Sequence, residues 1–367
     1  MKQYEPIGKY IHLADARNSD LSVTNLVGLT IEKRYIPSVA NVIGTDLSKY
    51  KVIKQGQFAC SLMQVSRDGK MPVAMYKGEP AIMSPAYPIF EVNDVNELMP
   101  EYLHMYLSRP EFDREAVFHA VGGVRGSLDW EDFISLKMPV PHIDEQRKIV
   151  GEYQTVEQRI ENNNRLIKAL EDTAQAICHH TFVENIDPEN LPEGWSMGNL
   201  SDVADCFDYK RIPIAEYDRE KMKGMYPYYG ASSIMDYVNQ YIFDGTYLLL
   251  GEDGSVRTKE DYPVLQFVTG KFWVNNHAHI LQGSNGYSTE LLFVLLRKTN
   301  ISKFVTGGVQ EKINQKNLFS IPIILLPQSK LMEINSRIKP LIGYCSTLNI
   351  ENNKLQMLQT LLLSKLS

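Results

Sequence analysis

A chain of 367 residues, 44% hydrophobic and 22% charged, has ample material for buried cores; at roughly 100–200 residues per domain it divides into two or three domains. No stretch approaches the ~18 uninterrupted apolar residues of a membrane span, which excludes a helical membrane protein. The net charge of −6 argues against a uniformly basic nucleic-acid coat, but not against a DNA reader with its basic residues on one face.

The opening MKQYEPIGKY lacks the charged-then-apolar layout of a signal peptide. Cys60, Cys178, Cys206 and Cys345 stand singly with no CxxC, as in a reducing compartment, so a cytoplasmic location without a membrane partner is expected. QFACSLM (57–63) and PAYPIFEV (85–92) read as strands, and MPEYLHMYLSRPEFDREAVFHAV (99–121) as helices interrupted at Pro110. GGVRGSLDWEDFISLKMPVP (122–141) is a polar turn followed by an apolar, strand-like run ending in proline.

A helical pattern then takes over. Ile149, Tyr153, Val156, Ile160, Asn163, Ile167, Leu170, Ala174 and Ile177 recur at spacings of four and three, a sustained heptad seam. About 35 residues at 1.5 Å each predict a rod of ~50 Å. VENIDPENLPEGW (183–195), acidic and with two prolines, reads as a solvated linker. Beyond it, QYIFDGTYLLLGEDG (240–254) reads as two strands about a DGT turn, and FWVNNHAHIL (272–281) as another strand pair. STELLFVLLRKTN (288–300) reads as a helix, and GGVQEKINQKNLFSIPIILLP (307–327) as a second turn-and-strand run ending in proline. In the last stretch Leu341, Leu348, Leu355 and Leu362 fall at seven-residue intervals, while Pro340 and Gly343 predict a kink or break.

These elements form two copies of one order. IENNNRL (160–166) returns as IENNKL (350–355), and each phrase follows a Gly-Gly-Val turn, at Gly122 and Gly307, by a similar distance. A period of about half the chain is too long for a solenoid, whose units run ~20–50 residues. It predicts a duplicated domain–helix unit: domain 1–141, helix 142–182, domain 183–327, helix 328–367. A helix with a heptad seam needs a partner, and antiparallel packing of the two long helices is the simplest closure. Asn163 lies in the first seam and Asn352 on the Leu348–Leu355 stripe, so the repeated phrase is expected to form a polar, register-fixing layer. The fold class is α+β, two globular domains joined and spaced by two long antiparallel coiled-coil helices, with a pseudo-twofold internal repeat.

At this point the chain resembles the DNA-specificity subunit of type I restriction-modification systems. The residues that carry the resemblance are LPEGW (191–195), YPYYGASSIMDYV (226–238), GEDGSV (251–256), NNHAHIL (275–281), DEQRKI (144–149) and the repeated GGV–proline–helix–IENN unit. The first half departs from the pattern, since it has no LPEGW and begins with IGKYIHLADARN; the second helix opens as QSKLMEI without DEQ. The resemblance implies two target-recognition domains, each reading half of a split, asymmetric site on double-stranded DNA. It also implies a helical pair that docks two methyltransferase (modification) subunits, with restriction subunits as a further partner class. S-adenosylmethionine, and ATP with Mg for restriction, would then sit on those partners, with no cofactor bound by this chain.

Base reading needs polar and basic side chains on loops. The candidates in the first domain are Lys33, Arg34, Tyr35, Ser61, Gln64, Arg67 and Arg125. In the second they are Lys210, Arg211, Tyr228, Ser232, Ser233, Arg257, Lys271 and Asn276. The clusters 61–67 and 228–233 are the foremost. CHH (178–180) and HAH (277–279) lack a second Cys/His pair at zinc spacing, so no metal site is expected. GEDG lacks the alternating oxygen ligands of a calcium loop, and no Walker, GxGxxG, [DN]PP[YF], GxSxG or HExxH motif occurs. The chain is therefore expected to be non-catalytic. A coiled-coil protein-interaction scaffold without DNA specificity, or an enzyme with an unrecognised site, stays open as an alternative here.

Overall fold

The computed structural model describes residues 4–40, 42, 44–63, 65–120, 126–184, 186–308 and 310–366. The chain divides into two compact units, one of Met1–Ile160 with Lys354–Ser367, the other of Glu161–Asn353. Both divisions fall inside the repeated IENN phrase. The long helices Ile143–Phe182 and Gln328–Ser364 therefore each contribute residues to both units.

In the first unit, strand Tyr4–Pro6 pairs antiparallel with Lys137–Pro139, the run that leads into the first long helix. A 3-10 turn, Ile7–Lys9, passes the chain to strand Ile11–Leu13. That strand is the edge of a four-stranded antiparallel sheet in the spatial order 11–13, 89–92, 58–60, 73–75. Two further pairs, Val27–Leu29 with Tyr35–Pro37 and Lys51–Ile53 with Ala81–Met83, complete the strand content. Helices Pro100–Leu107 and Pro110–Ala120 each begin at a proline, where the missing N–H would have had no helical partner. In the core Phe58 stacks on Phe90 at 5.1 Å, and Phe133 meets Phe90 at 5.6 Å. All three rings are fully buried, and each such burial stabilises by roughly 1.5–3 kcal/mol. Ile149, Val150 and Tyr153 of the first long helix join this cluster together with Leu363 and Leu366.

The second unit repeats that plan. Strand Ser196–Asn199 pairs antiparallel with Pro322–Leu325, again the run before a long helix. A 3-10 turn, Leu200–Asp202, leads to edge strand Ala204–Cys206. The six-stranded sheet runs 204–206, 278–283, 243–251, 265–274, 223–229, 234–238. Its first four strands follow the same order as the first unit's sheet. The last two are an added hairpin whose strand 223–229 joins in parallel. Helix Thr289–Leu296 is capped by Ser288, whose hydroxyl accepts the Leu291 N–H at 3.2 Å. The first half thus has a counterpart to the entry of the second: IGKYIHL takes the place of LSDVADC, although no LPEGW precedes it.

Three local expectations need correction. Asp244-Gly245-Thr246 is not a turn; it runs through the continuous strand Phe243–Gly251, with Gly245 opposite Gly270. The two strands of FWVNNHAHIL do not pair with each other, because strand 243–251 lies between them. Pro340 and Gly343 do not break the second long helix, which continues through both.

Within the second unit the two helices run antiparallel. Asn163 Nδ2 donates to Asn352 Oδ1 at 2.9 Å, and Asn352 Nδ2 donates to Asn164 Oδ1 at 2.8 Å. Further along, the Cys345 thiol lies 3.8 Å from the Ile167 carbonyl oxygen. Ala174 and Cys178 then share a cluster with Ile334, Ile338 and Ile342. Every position of the first predicted seam is buried or half-buried. Among the described residues no helix is long and apolar enough to cross a membrane.

Candidate nucleic-acid interface

Four loops of the second unit meet at the sheet through one network of charges. The 3-10 turn Asp208–Lys210 follows the edge strand, and Arg211 closes it. The Arg211 guanidinium donates to Glu252 at 2.6 Å and to the Ala278 carbonyl at 2.9 Å, and lies 3.3 Å from Asp208. Glu252, in the GEDG turn, also pairs with Lys312 at 3.2 Å. His279, in the NNHAHIL stretch, meets Asp208 through Nδ1 at 2.5 Å and the Ile313 carbonyl through Nε2 at 2.8 Å. His277 pairs with Asp253, and Arg257 with Glu311 and Asp261.

The electrostatics follow from this geometry. Burial pushes the Asp208 carboxyl up, but the His279 hydrogen bond and charge, with Arg211, outweigh it and leave the group below its ordinary range. Glu252 is likewise held low against its burial by Arg211, His279 and Lys312. The GEDG turn needs its first glycine, because a Cβ at Gly251 would run into the Ser255 carbonyl oxygen. Asn275, buried, ties this turn region to the hairpin, donating its N–H to Tyr229 at 3.0 Å and its side-chain amide to the Met235 sulfur at 3.2 Å.

The network sorts the second-unit candidates by accessibility. Lys210, Ser232, Ser233, Lys271 and Asn276 are exposed. Lys210 sits over the rings of Phe207 and Tyr209 at 5.1 and 5.7 Å, and Lys271 over Tyr241 at 4.6 Å. Arg211 and Asn276 come together, the guanidinium 3.4 Å from the Asn276 carbonyl. Arg211 and Arg257 are instead engaged in ion pairs within the unit. Tyr228 is 1% exposed, its hydroxyl accepting the Ile214 N–H at 3.1 Å. These three correct the expectation of loop side chains open to a ligand, since each holds the scaffold behind the exposed ones.

The first unit shows the same division. Lys33 points inward to the Leu107 carbonyl at 2.6 Å and to Asp113 at 2.9 Å, and burial lowers its pKa. The Tyr35 hydroxyl bridges two strands, donating to the Ala74 carbonyl at 2.8 Å and accepting the Ala59 N–H at 3.0 Å. Burial raises its pKa. Neither side chain is open to solvent as a base reader would be. Arg34 and Arg67 are exposed, and Arg67 pairs with Asp68 at 2.6 Å. Ser61 is half-buried beside Pro72, whose carbonyl accepts its N–H at 2.8 Å. Gln64 and Arg125, with Gly122 and Gly123, lie outside the described residues.

Sequence reading missed the residues that organise both loop sets. Asp208, Glu252, His279 and Lys312 were not among the base-reading candidates, although HAH and GEDG were weighed and set aside as metal loops, and Asp15, Arg17 and Lys51 were not singled out. Arg17 pairs with Asp15 at 2.8 Å just beyond strand 11–13, as Arg211 pairs with Asp208 just beyond strand 204–206. Lys51 approaches Asp15 at 3.5 Å. The available signal was an Asp followed by Arg two or three residues later, after the first sheet strand of each half.

Residues 192–359 match the family model for the type I restriction modification DNA specificity domain. The chain is 35% identical over 156 residues to a putative type I restriction enzyme specificity subunit, S.HindORF215P, of Haemophilus influenzae. That alignment spans 42% of this chain and 39% of the relative, so the chain covers about two fifths of the relative's length. Over 99% of this chain and 95% of the other, the fold is similar to the crystal structure of a type I restriction-modification system S subunit from M. genitalium, with a TM-score of 0.60 and 14% identity. Residues 192–359 thus match the type I restriction modification DNA specificity domain, and the fold of the chain is similar to that of a type I S subunit.

Proposed function

We propose that this chain is a non-catalytic DNA reader that recognises a bipartite, asymmetric site and scaffolds methyltransferase subunits, and restriction subunits where present. One observation carries the reading. A single element order occurs twice, and the loops hung on it differ in sequence between the copies. Duplicated scaffold with divergent loops suits two readers of different half-sites. The exposed side chains Arg34, Arg67, Lys210, Ser232, Ser233, Lys271 and Asn276 are the proposed contacts, some to phosphates and some to base edges. Gln64 and Arg125 stay proposed from sequence. The two long helices are the proposed docking surface for methyltransferases, which would carry S-adenosylmethionine; a nuclease partner would carry ATP and Mg.

Co-expression with the cognate methyltransferase followed by genome-wide mapping of methylated adenines tests the proposal. A two-part, asymmetric methylation motif is expected, and methylation without sequence preference would refute it.

A further inference from the structure

Cys206, Asp208 and His279 bring a thiol sulfur, a carboxylate oxygen and a ring nitrogen within 4.8 Å of one another inside the second unit. The spacing in sequence hides the group. Cys206 ends the edge strand and Asp208 opens the 3-10 turn after it, while His279 comes from the neighbouring strand, which pairs through Cys206 and Leu281.

The surroundings are those of an oriented ligand set. Nε2 of His279 faces the Ile313 carbonyl at 2.8 Å, which fixes a ring proton there and turns Nδ1 toward Asp208. Metal-bound histidines usually present their second nitrogen to a backbone carbonyl in this way. Asp208 is oriented too, since its Oδ1 accepts the Ile280 N–H at 2.9 Å and leaves Oδ2 toward the ring. Nδ1 and Oδ2 lie at 2.5 Å, the spacing of a proton-bridged pair, and an ion bound by both would open them to the ~3 Å that separates two ligands of one metal.

Charge permits the metal. Asp208 and Glu252 are balanced by Arg211 and Lys312, and a divalent ion that displaces one proton from the thiol and one from the ring leaves the net charge unchanged. A mixed sulfur, nitrogen and oxygen set selects zinc and its transition-metal neighbours over calcium or magnesium. Glu252, whose carboxylate lies 3.8 Å from His279 Nδ1, is placed to supply a fourth ligand.

We propose that Cys206, Asp208 and His279 form a structural site for a zinc-class divalent ion, tying the edge strand to its neighbour beneath the loops of the second unit. The full-length chain, stripped with a chelator, is titrated with Co²⁺ as a spectroscopic stand-in. One equivalent per chain is expected, with thiolate-to-cobalt charge-transfer absorption that Zn²⁺ displaces and Cys206→Ser abolishes. Alkylation of the wild-type protein, read by mass spectrometry, adds a measurement that needs no variant: Zn²⁺ should slow modification of Cys206 at least tenfold. Absence of saturable Co²⁺ binding, a charge-transfer band that survives Cys206→Ser, or Cys206 alkylation indifferent to Zn²⁺ would each overturn the site.

Discussion

Arg211 and Arg67 look alike as text, two arginines among polar neighbours, yet their environments assign them different work. Arg211 is 15% exposed and bridges Asp208 and Glu252, whereas Arg67 is 63% exposed and paired with Asp68. Arg211→Ala leaves Glu252 without its main partner and Asp208 without one of its two, and should destabilise the second unit by about 3 kcal/mol in denaturant unfolding. Arg67→Ala should leave the unfolding midpoint unchanged and act only on the methylation motif. The same carboxylates predict acid sensitivity. Asp208 and Glu252 have folded pKa values below their ordinary 3.8 and 4.5, so their contribution is present above those values and is lost as pH falls through the lower folded ones. Thermal melts across that acid range should show a fall in Tm that Asp208→Asn flattens. Residue type was legible at Arg211, Arg257, Lys33 and Tyr228, but engagement was not. It depends on partners such as Glu252 and Asp113, 41 and 80 positions distant, which only the folded chain brings near.

The long helices were the most readable elements, because a heptad seam is a local pattern with its consequence written in every turn. Asn163 and Asn352 meet in a buried pair, 2% and 6% exposed. Asn163→Leu alone strands the Asn352 amide oxygen and should cost roughly 1–3 kcal/mol. Changing Asn352 to Leu as well removes the orphan, so the double variant should unfold at higher denaturant than the single one. If the pair sets register, the double variant should also show broadened NMR resonances along the helices. Pro340 was misread as a break. It removes one N–H and crowds the preceding turn, but Ile334, Ile338, Ile342 and Cys345 on either side are buried, and packing of that stripe outweighs the local penalty. Pro340→Ala should therefore raise stability by up to ~3 kcal/mol, measured by the same unfolding curves. The seam upstream of Leu348 was obscured in the sequence by that proline. Likewise DGT carries turn chemistry, yet eight ladder pairs with strand 265–274 hold it straight.

At the scale of the whole chain, duplication was legible from IENN and GGV, and the structure extends it to the entry strands, the 3-10 turns and the sheet order of both units. The first half hid this because its entry shares little text with the second; backbone pairing preserves a topology that side-chain identity no longer records. What the repeat leaves dissimilar is the loops, and there the proposed specificity resides. The most direct measurement compares the methylomes of cells co-expressing the cognate methyltransferase with the wild-type chain or with a Lys210→Ala, Ser232→Ala, Ser233→Ala variant. The account predicts a two-part motif in which the variant relaxes or loses one half while the other half is read unchanged. Loss of preference at both halves, or an unaltered motif, would contradict it.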